Sequence, residues 1–312
     1  MRIIFAGTPE PAVVALQRLL ESDHEVVAVL TRPDARKGRG RTLHPSPVAA
    51  LAQEHGIEVL KPQSLKLDTE DGQATRARLK ELAPDCIPVV AYGNLVPKDL
   101  LDIAPHGWVN LHFSLLPAWR GAAPVQAALF AGDDITGATT FRIEEGLDTG
   151  PILGTLTHAI APTDTADTLL TSLAHAGAEL LVATMDGLET GALVAEPQRG
   201  EPSYAAKITK EDAKIIWSQP DFAIDRLIRA YTPAPGPWTE LGGQRFKIGK
   251  VALTDQDTLA PGALAIGKNQ VLVGTGSNDL EIVQLQPPGK KMMAAADWSR
   301  GANLAEGAEF TS

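Results

Sequence analysis

An amide, an imidazole and a carboxylate carry the chemistry that this sequence offers. Asn110 and His112 lie two apart in Val109-Asn110-Leu111-His112-Phe113, a run that reads as the end of a β-strand, where alternate side chains point to one side. Both can therefore converge on one small ligand. Asp148 follows 36 residues after His112, inside Gly146-Leu147-Asp148-Thr149-Gly150, where glycines let backbone and carboxylate come close to a ligand. The interval holds one helix pattern and one strand pattern, so a crossover is expected to return Asp148 to the same sheet edge. Such a set suits acyl transfer. The carboxylate holds and supports the imidazole, the imidazole moves protons, and the amide donates a hydrogen bond to a developing oxyanion. Singly, the same residues also read as an Asn in a turn, a His satisfied by backbone and an Asp that forms a turn.

No activated nucleophile belongs to the set. Ser114 is followed by Leu-Leu-Pro and lacks a strand-nucleophile-helix elbow, so direct attack by the substrate is expected rather than a covalent acyl enzyme. Phe5-Ala6-Gly7-Thr8-Pro9-Glu10 keeps only the first glycine of a dinucleotide fingerprint, so Gly7 is read as turning the chain tightly after the first strand. Asp148-Thr149-Gly150 matches the aspartic-protease triplet in a single copy, without the second carboxylate that would share a proton. A single cysteine, Cys86, cannot form an internal disulfide or a thiolate metal site, and no metal is expected.

The elements that must position these groups alternate between strand and helix. Arg2 to Ala6 reads as a buried strand, Pro11 to Glu21 as a helix and Glu25 to Thr31 as a second strand. Helices at about Val48 to His55 and Gln73 to Leu82 follow, with strands at Ile57 to Leu60 and Cys86 to Ala91. Next come a strand at Trp108 to Leu111, a helix at Pro124 to Phe130, a strand at Gly137 to Ile143, and a long helix at Asp167 to Leu188. That order implies α/β architecture, a Rossmann-like parallel sheet covered on both faces. Residues 190–206 read as a linker, with Gly191, Pro197, Gly200 and Pro202 and no periodicity. Beyond it, a helix at Phe222 to Tyr231 precedes short strands at Gln244 to Ile248, Ala263 to Ile266, Gln270 to Thr275 and Leu280 to Gln284, the texture of a small β-barrel. The expected domains are thus 1–189, a linker at 190–206, and 207–312.

The 312 residues are 44% apolar and 21% charged, a globular composition long enough for two domains with their own cores. The apolar start is too short for a signal peptide, and no run of 18 apolar residues is present, so a cytoplasmic protein without a membrane partner is expected. A formal net charge of -10 argues against a protein that coats nucleic acid without specificity. The charge is uneven: 12 basic and 12 acidic residues from Lys207 onward leave 16 against 26 before it. Yet Arg32, Arg36, Lys37, Arg39 and Arg41 face only Asp34 across ten residues, a local net of +4. Screening acts over about 8 Å in cell-like salt, so such a loop works independently of distant acidic surface.

Asn110-Leu111-His112 with Ser114-Leu115-Leu116-Pro117, Trp119-Arg120-Gly121-Ala122-Ala123-Pro124-Val125-Gln126, Thr136-Gly137 and Gly146-Leu147-Asp148-Thr149-Gly150 resemble the 10-formyltetrahydrofolate-dependent formyltransferases, and among them the methionyl-tRNA formyltransferase family. The resemblance spans essentially the whole chain. It includes Phe5-Ala6-Gly7-Thr8-Pro9, Gly38-Arg39-Gly40 with Pro45-Ser46-Pro47, Val90-Ala91-Tyr92-Gly93, Lys207-Ile208-Thr209-Lys210 and Gln286-Pro287-Pro288-Gly289-Lys290-Lys291.

The resemblance implies formyl transfer from 10-formyltetrahydrofolate to the α-amine of methionyl initiator tRNA, with Asn110, His112 and Asp148 as catalytic residues. Tyr92, Gly93, Asn94 and Leu95 with Ser114, Leu115, Leu116 and Pro117 would border the folate. Arg36, Lys37, Arg39 and Arg41 would contact the tRNA acceptor end, with Lys207, Lys210, Lys290 and Lys291 adding phosphate contacts from a tRNA-binding, OB-like C-terminal barrel. A monomer is expected. Phe113 and Asn94-Leu95 depart from the family pattern and leave pocket detail open. A 10-formyltetrahydrofolate hydrolase or an amino-sugar formyltransferase could use the same polar set, but neither accounts for the basic loop and the second domain. A non-catalytic tRNA- or folate-binding protein would leave the intact Asn110, His112 and Asp148 unexplained.

Overall fold

The computed structural model describes residues 1–37, 42–302 and 307–311 of the chain. The chain forms two compact units, one of Met1–Pro124, Ile135–Ala159 and Leu170–Tyr204, the other of Val125–Asp134, Ile160–Leu169 and Ala205–Ser312. In chain order up to the second unit's main body, the elements are β1 (Arg2–Gly7), α1 (Glu10–Leu20), β2 (Glu25–Leu30), β3 (Ala35–Lys37), β4 (Thr42–His44), α2 (Pro47–Glu54), β5 (Glu58–Leu60), α3 (Glu70–Leu82), β6 (Ile87–Val90), β7 (Trp108–His112), β8 (Arg120–Gly121), α4 (Pro124–Ala131), β9 (Ile135–Arg142), β10 (Ile152–Ala159), α5 (Ala166–Glu189) and β11 (Tyr204–Ala205).

The first unit is built on a seven-stranded sheet in the order β10-β9-β7-β6-β1-β2-β5. Strands β5, β2, β1, β6 and β7 are mutually parallel. Their side chains are apolar on both faces, as a helix-covered parallel sheet requires: Ile3, Ile4, Phe5, Ala28, Val29, Leu30, Ile87 and Val90 are fully buried. Strands β9 and β10 run antiparallel at one edge of this mostly parallel sheet. A parallel neighbour needs a crossover covering the sheet, and Val125–Asp134, which holds most of α4, clusters with the second unit instead.

Local signals explain most boundaries. Pro47 sits in the first turn of α2, and the Ser46 hydroxyl caps it by accepting from the Ala49 N–H at 3.0 Å. Thr69 does the same for Gly72 at 3.1 Å, so α3 begins at Glu70, ahead of the predicted Gln73. Around the basic stretch, β3 and β4 pair as antiparallel strands, with Arg36 opposite Leu43 and Lys37 opposite Thr42. Gly7 also departs from its reading as a turn former. A Cβ there would lie 2.7 Å from the Phe5 ring, 2.8 Å from Ala12 Cβ and 3.0 Å from the Val90 carbonyl, so glycine serves close packing. Helix α5 spans 24 residues and is long and apolar enough to cross a membrane by length and composition, although no unbroken apolar run marks it. Half of its apolar window is buried within the protein.

The second unit contains α6 (Asp221–Ala230), β12 (Trp238–Leu241), β13 (Gln244–Leu253), β14 (Leu264–Ile266), β15 (Val271–Val273), β16 (Leu280–Gln286), β17 (Met293–Ala294) and α7 (Ala295–Ser299). An antiparallel sheet in the order β12-β13-β16-β15-β14 curls around Trp217, Phe246, Ile248, Val251, Val273, Ile282, Leu285 and Phe310. Register shifts around Lys250 keep both Ile248 and Val251 on the inner side although they are three apart. Ile224 and Ile228 of α6, one helical turn apart, join the same core. The outer strands β12 and β14 are linked by the segment around Phe310, which bridges Thr311 to Glu240 and Glu309 to Ala263. Phe310 stacks on Trp217 with ring centroids 5.7 Å apart. Strand β12 carries no period-two alternation to mark it in the sequence.

Candidate active site

Strand β7 delivers the first two polar groups. Leu111, between them, points to the opposite face, where a Cβ added at Gly177 of α5 would sit 3.1 Å from Leu111 Cδ2. Asn110 and His112 therefore share the other face. Asp148 reaches them by a different route from the expected crossover. Strand β9 ends with Arg142 opposite Val109, at the start of β7, and the loop that follows turns back along β7. Its Asp148 Oδ2 stands 3.8 Å from His112 Nδ1.

The histidine is 6% exposed. Its Nε2 lies 2.9 Å from the Trp119 carbonyl oxygen, which can only accept, so Nε2 carries the proton of the neutral ring. Nδ1 then holds the lone pair and faces Asp148. At 3.8 Å that pair is electrostatic rather than hydrogen-bonded. Burial pushes the His112 pKa below the ordinary histidine value, while the Asp148 charge and the Trp119 carbonyl pull it up. The net effect is a neutral base at cellular pH. The Asp148 carboxylate is oriented by the Gly121 N–H, which donates to Oδ2 at 2.7 Å. Asp148 itself adopts φ +52°, the left-handed region that few side-chain-bearing residues enter.

Asn110, His112 and Asp148 line one cavity of about 840 Å³. Tyr92, Gly93, Asn94 and Leu95 line it too. The turn after β6 that presents them has Ala91 at φ +48° and Gly93 at φ +81°. Tyr92 is buried, and burial raises its phenol pKa. Asn94 donates to the Tyr92 hydroxyl at 3.4 Å and accepts from Arg32. Further lining comes from Phe113, Ile143, Glu144 and Leu147, which the sequence reading did not select.

Ser114, Leu115, Leu116 and Pro117 are not brought to that cavity. Ser114 is fully buried and donates to the Ala118 carbonyl at 2.6 Å. Thr139 of β9 donates to the Ser114 carbonyl at 2.7 Å and accepts from the Leu116 N–H at 3.2 Å. Leu116 lines a smaller cavity of about 380 Å³. The Cys86 thiol is pushed up to about 12 by burial and is not a nucleophile at physiological pH.

The basic residues fall in both units. In the first, Arg36 is exposed on β3 and Lys37 ends that strand; Arg39 and Arg41 lie outside the described residues. In the second, Lys207, Lys210, Lys290 and Lys291 are exposed. Two contributors to the site were not legible in sequence. One is the backbone carbonyl of Trp119. The other is Gln198, whose Nε2 donates to the carbonyls of Asp148 and Gly150 at 2.7 and 2.8 Å.

A mostly parallel α/β sheet that presents an amide, a neutral imidazole and a carboxylate in one cavity defines a group-transfer enzyme. Residues 1–185 match the family model described as formyl transferase, and residues 207–303 match the model described as formyl transferase, C-terminal domain. The chain belongs to the formyl transferase family. It is 66% identical to a methionyl-tRNA formyltransferase of Corynebacterium glutamicum over 99% of this chain and 100% of that one. A methionyl-tRNA formyltransferase of Streptomyces coelicolor is 59% identical over 98% of both chains. Among solved structures, methionyl-tRNA formyltransferase from Clostridium thermocellum shares the fold with a TM-score of 0.56 at 17% identity, covering 82% of this chain and 94% of that one.

Proposed function

We propose that this protein transfers the formyl group of 10-formyltetrahydrofolate to the α-amine of methionine esterified to initiator tRNA. The observation that carries the reading is the meeting of Asn110 and Asp148 around a buried, neutral His112 in one cavity. The high identity to methionyl-tRNA formyltransferases over the full chain supports the acceptor.

An α-amine titrates at about 7.7 to 8.0 and an ester lowers that value, so free amine is already available at cellular pH. The amine nitrogen attacks the formyl carbon, and the carbonyl electrons move to oxygen, where the Asn110 amide donates to the new oxyanion. The attacking nitrogen is now cationic. His112 takes its proton at Nδ1, the ring nitrogen left unprotonated by the Trp119 contact, and Asp148 stabilises the imidazolium. The same proton then passes to the folate nitrogen as its bond to the formyl carbon breaks, leaving formylmethionyl-tRNA and tetrahydrofolate.

Tyr92 to Leu95 would border the folate beside the reacting carbonyl, with Ser114 to Pro117 supporting the strand ends rather than touching it. Arg36, Lys37, Arg39 and Arg41 would grip the acceptor end, and Lys207, Lys210, Lys290 and Lys291 of a tRNA-binding domain at 207–312 would hold phosphates. The enzyme would act as a cytoplasmic monomer without a metal, its catalytic domain at 1–189 joined through 190–206. The test is transfer of labelled formyl from the folate donor to Met-tRNA, compared with uncharged tRNA, an amino sugar and water. Formate release with water as sole acceptor, or formylation of the sugar alone, would overturn the reading.

A further inference from the structure

Gln198 lies in the stretch that composition marks as a linker, yet its side chain makes four hydrogen bonds to the Asp148 loop and to Arg120. Its Nε2 donates to the Asp148 carbonyl at 2.7 Å and to the Gly150 carbonyl at 2.8 Å. Its Oε1 accepts from Arg120 Nε at 3.1 Å and Nη2 at 2.6 Å. All four bonding capacities of the amide face protein groups that neighbour the site. The segment that carries it is anchored independently, because Glu196 and Ile152 exchange backbone hydrogen bonds of 2.7 and 2.8 Å at the start of β10.

The partners of Gln198 are the two stretches that set the Asp148 carboxylate. Arg120 precedes Gly121, whose N–H holds Oδ2 at 2.7 Å. Asp148 stands at φ +52°, a conformation that persists only where its surroundings over-determine it. Neither Asp148 Oδ2 nor His112 Nδ1 is held by a hydrogen bond between them at 3.8 Å, so their spacing depends on how the loop is braced from outside.

We infer that Gln198 is a positioning residue for the formyl-transfer reaction: by clamping the Asp148 and Gly150 carbonyls to Arg120, it fixes the distance between the Asp148 carboxylate and the His112 imidazole. The inference rests on the proposed activity only for its rate readout. The pKa of His112 gives a second readout that does not. Asp148 raises that pKa, so a carboxylate that drifts away must let it fall, whereas a role confined to stability would leave it unchanged.

Gln198→Met keeps the length of the side chain and removes both donors, and Gln198→Ala removes the whole clamp. In single-turnover assays with full-length enzyme, transfer should slow by about ten- to a hundredfold, the penalty for a misplacement near 1 Å, while KM for the folate donor and for Met-tRNA stays within about twofold. The His112 imidazole, followed by NMR on histidine-labelled enzyme, should titrate at lower pH than in the wild type. Combining Gln198→Met with Asp148→Asn should lower it no further than Asp148→Asn alone. An unshifted His112 titration, or a transfer rate within about twofold of wild type, would overturn the positioning role. Wild-type enzyme that transfers no formyl group to Met-tRNA would instead overturn the activity, leaving the titration to decide on Gln198. Should both variants fail to fold, the wild-type Gln198 side-chain amide decides: its protons should exchange more slowly than those of exposed glutamines, and fast exchange refutes the clamp.

Discussion

Replacing Asp148 by Asn removes one charge and little else. The Asn carbonyl oxygen can still accept from the Gly121 N–H, now 2.7 Å from Oδ2, so the loop keeps its main tie. What disappears is an attraction acting over 3.8 Å on His112 Nδ1. A unit charge at that distance stabilises the imidazolium by about 4 kcal/mol at an effective dielectric near 20. The carboxylate side chain is 18% exposed, and water beside it trims the attraction to about 1.4 to 3 kcal/mol. The step that puts the proton on His112 should therefore slow roughly 10- to 150-fold. The sign of the pH effect follows from the same charges. His112 works as a base in its neutral form, so transfer is lost as pH falls through its pKa. Burial already sets that pKa below the ordinary value, and Asp148 opposes burial. Without the carboxylate the pKa drops further, and the acid limb of the rate profile moves to lower pH. Rapid-quench transfer of labelled formyl to Met-tRNA across pH 5 to 8, a range of about three units around the histidine value, measures both. A variant as fast as wild type, or an acid limb that moves to higher pH, would refute the account of His112 and Asp148.

Asn110→Ala should reduce transfer by about 10² to 10³ with little change in either KM, as expected for a donor that bonds the oxyanion rather than the ground state; an unchanged single-turnover rate would remove Asn110 from that role. Gly7→Ala should destabilise the first unit by about 1 to 3 kcal/mol through overpacking, because its Cβ meets Phe5, Ala12 and Val90 within 3.0 Å; denaturant unfolding reads this, and wild-type stability would contradict the packing argument. Alanine at Arg36, Lys37, Arg39 and Arg41 together should weaken tRNA binding and flatten its salt dependence by roughly 0.7 to 0.9 log units per lost phosphate contact. An unaltered slope in a salt titration would exclude these four cations from the phosphate backbone.

Period and spacing made a large part of this protein legible. The two-residue interval between Asn110 and His112 places them on one face because strands alternate, and β7 obeys that rule with Leu111 turned away. The Val-rich and Ile-rich strands of the first unit announced a sheet covered on both sides. The direction of β9 was not legible, since hydrophobic pattern carries no sign of strand direction. The pairing of β3 and β4 escaped because Ala35, Arg36, Thr42, Leu43 and His44 are all exposed and give no apolar alternation. Gly7 was located but misread: a glycine that makes room and a glycine that turns the chain are the same letter. Trp119 acts through its carbonyl, which every residue possesses, and Gln198 acts from a segment whose composition suggested nothing fixed. Contacts of that kind become visible only once the chain is folded.

The strap at Glu309–Thr311 bears on how the second unit is made. Thr239 of β12 donates to the Thr311 carbonyl across 72 positions of sequence, and Phe310 reaches Trp217 from still farther along the chain. Contacts this distant demand that a long loop close before any of them is rewarded. During synthesis, β12 and the start of β14 must therefore wait as bare strand edges until Glu309–Thr311 has emerged. Such edges invite pairing with neighbouring chains, so a nascent chain arrested before Phe310 is the state in which this protein should most readily aggregate.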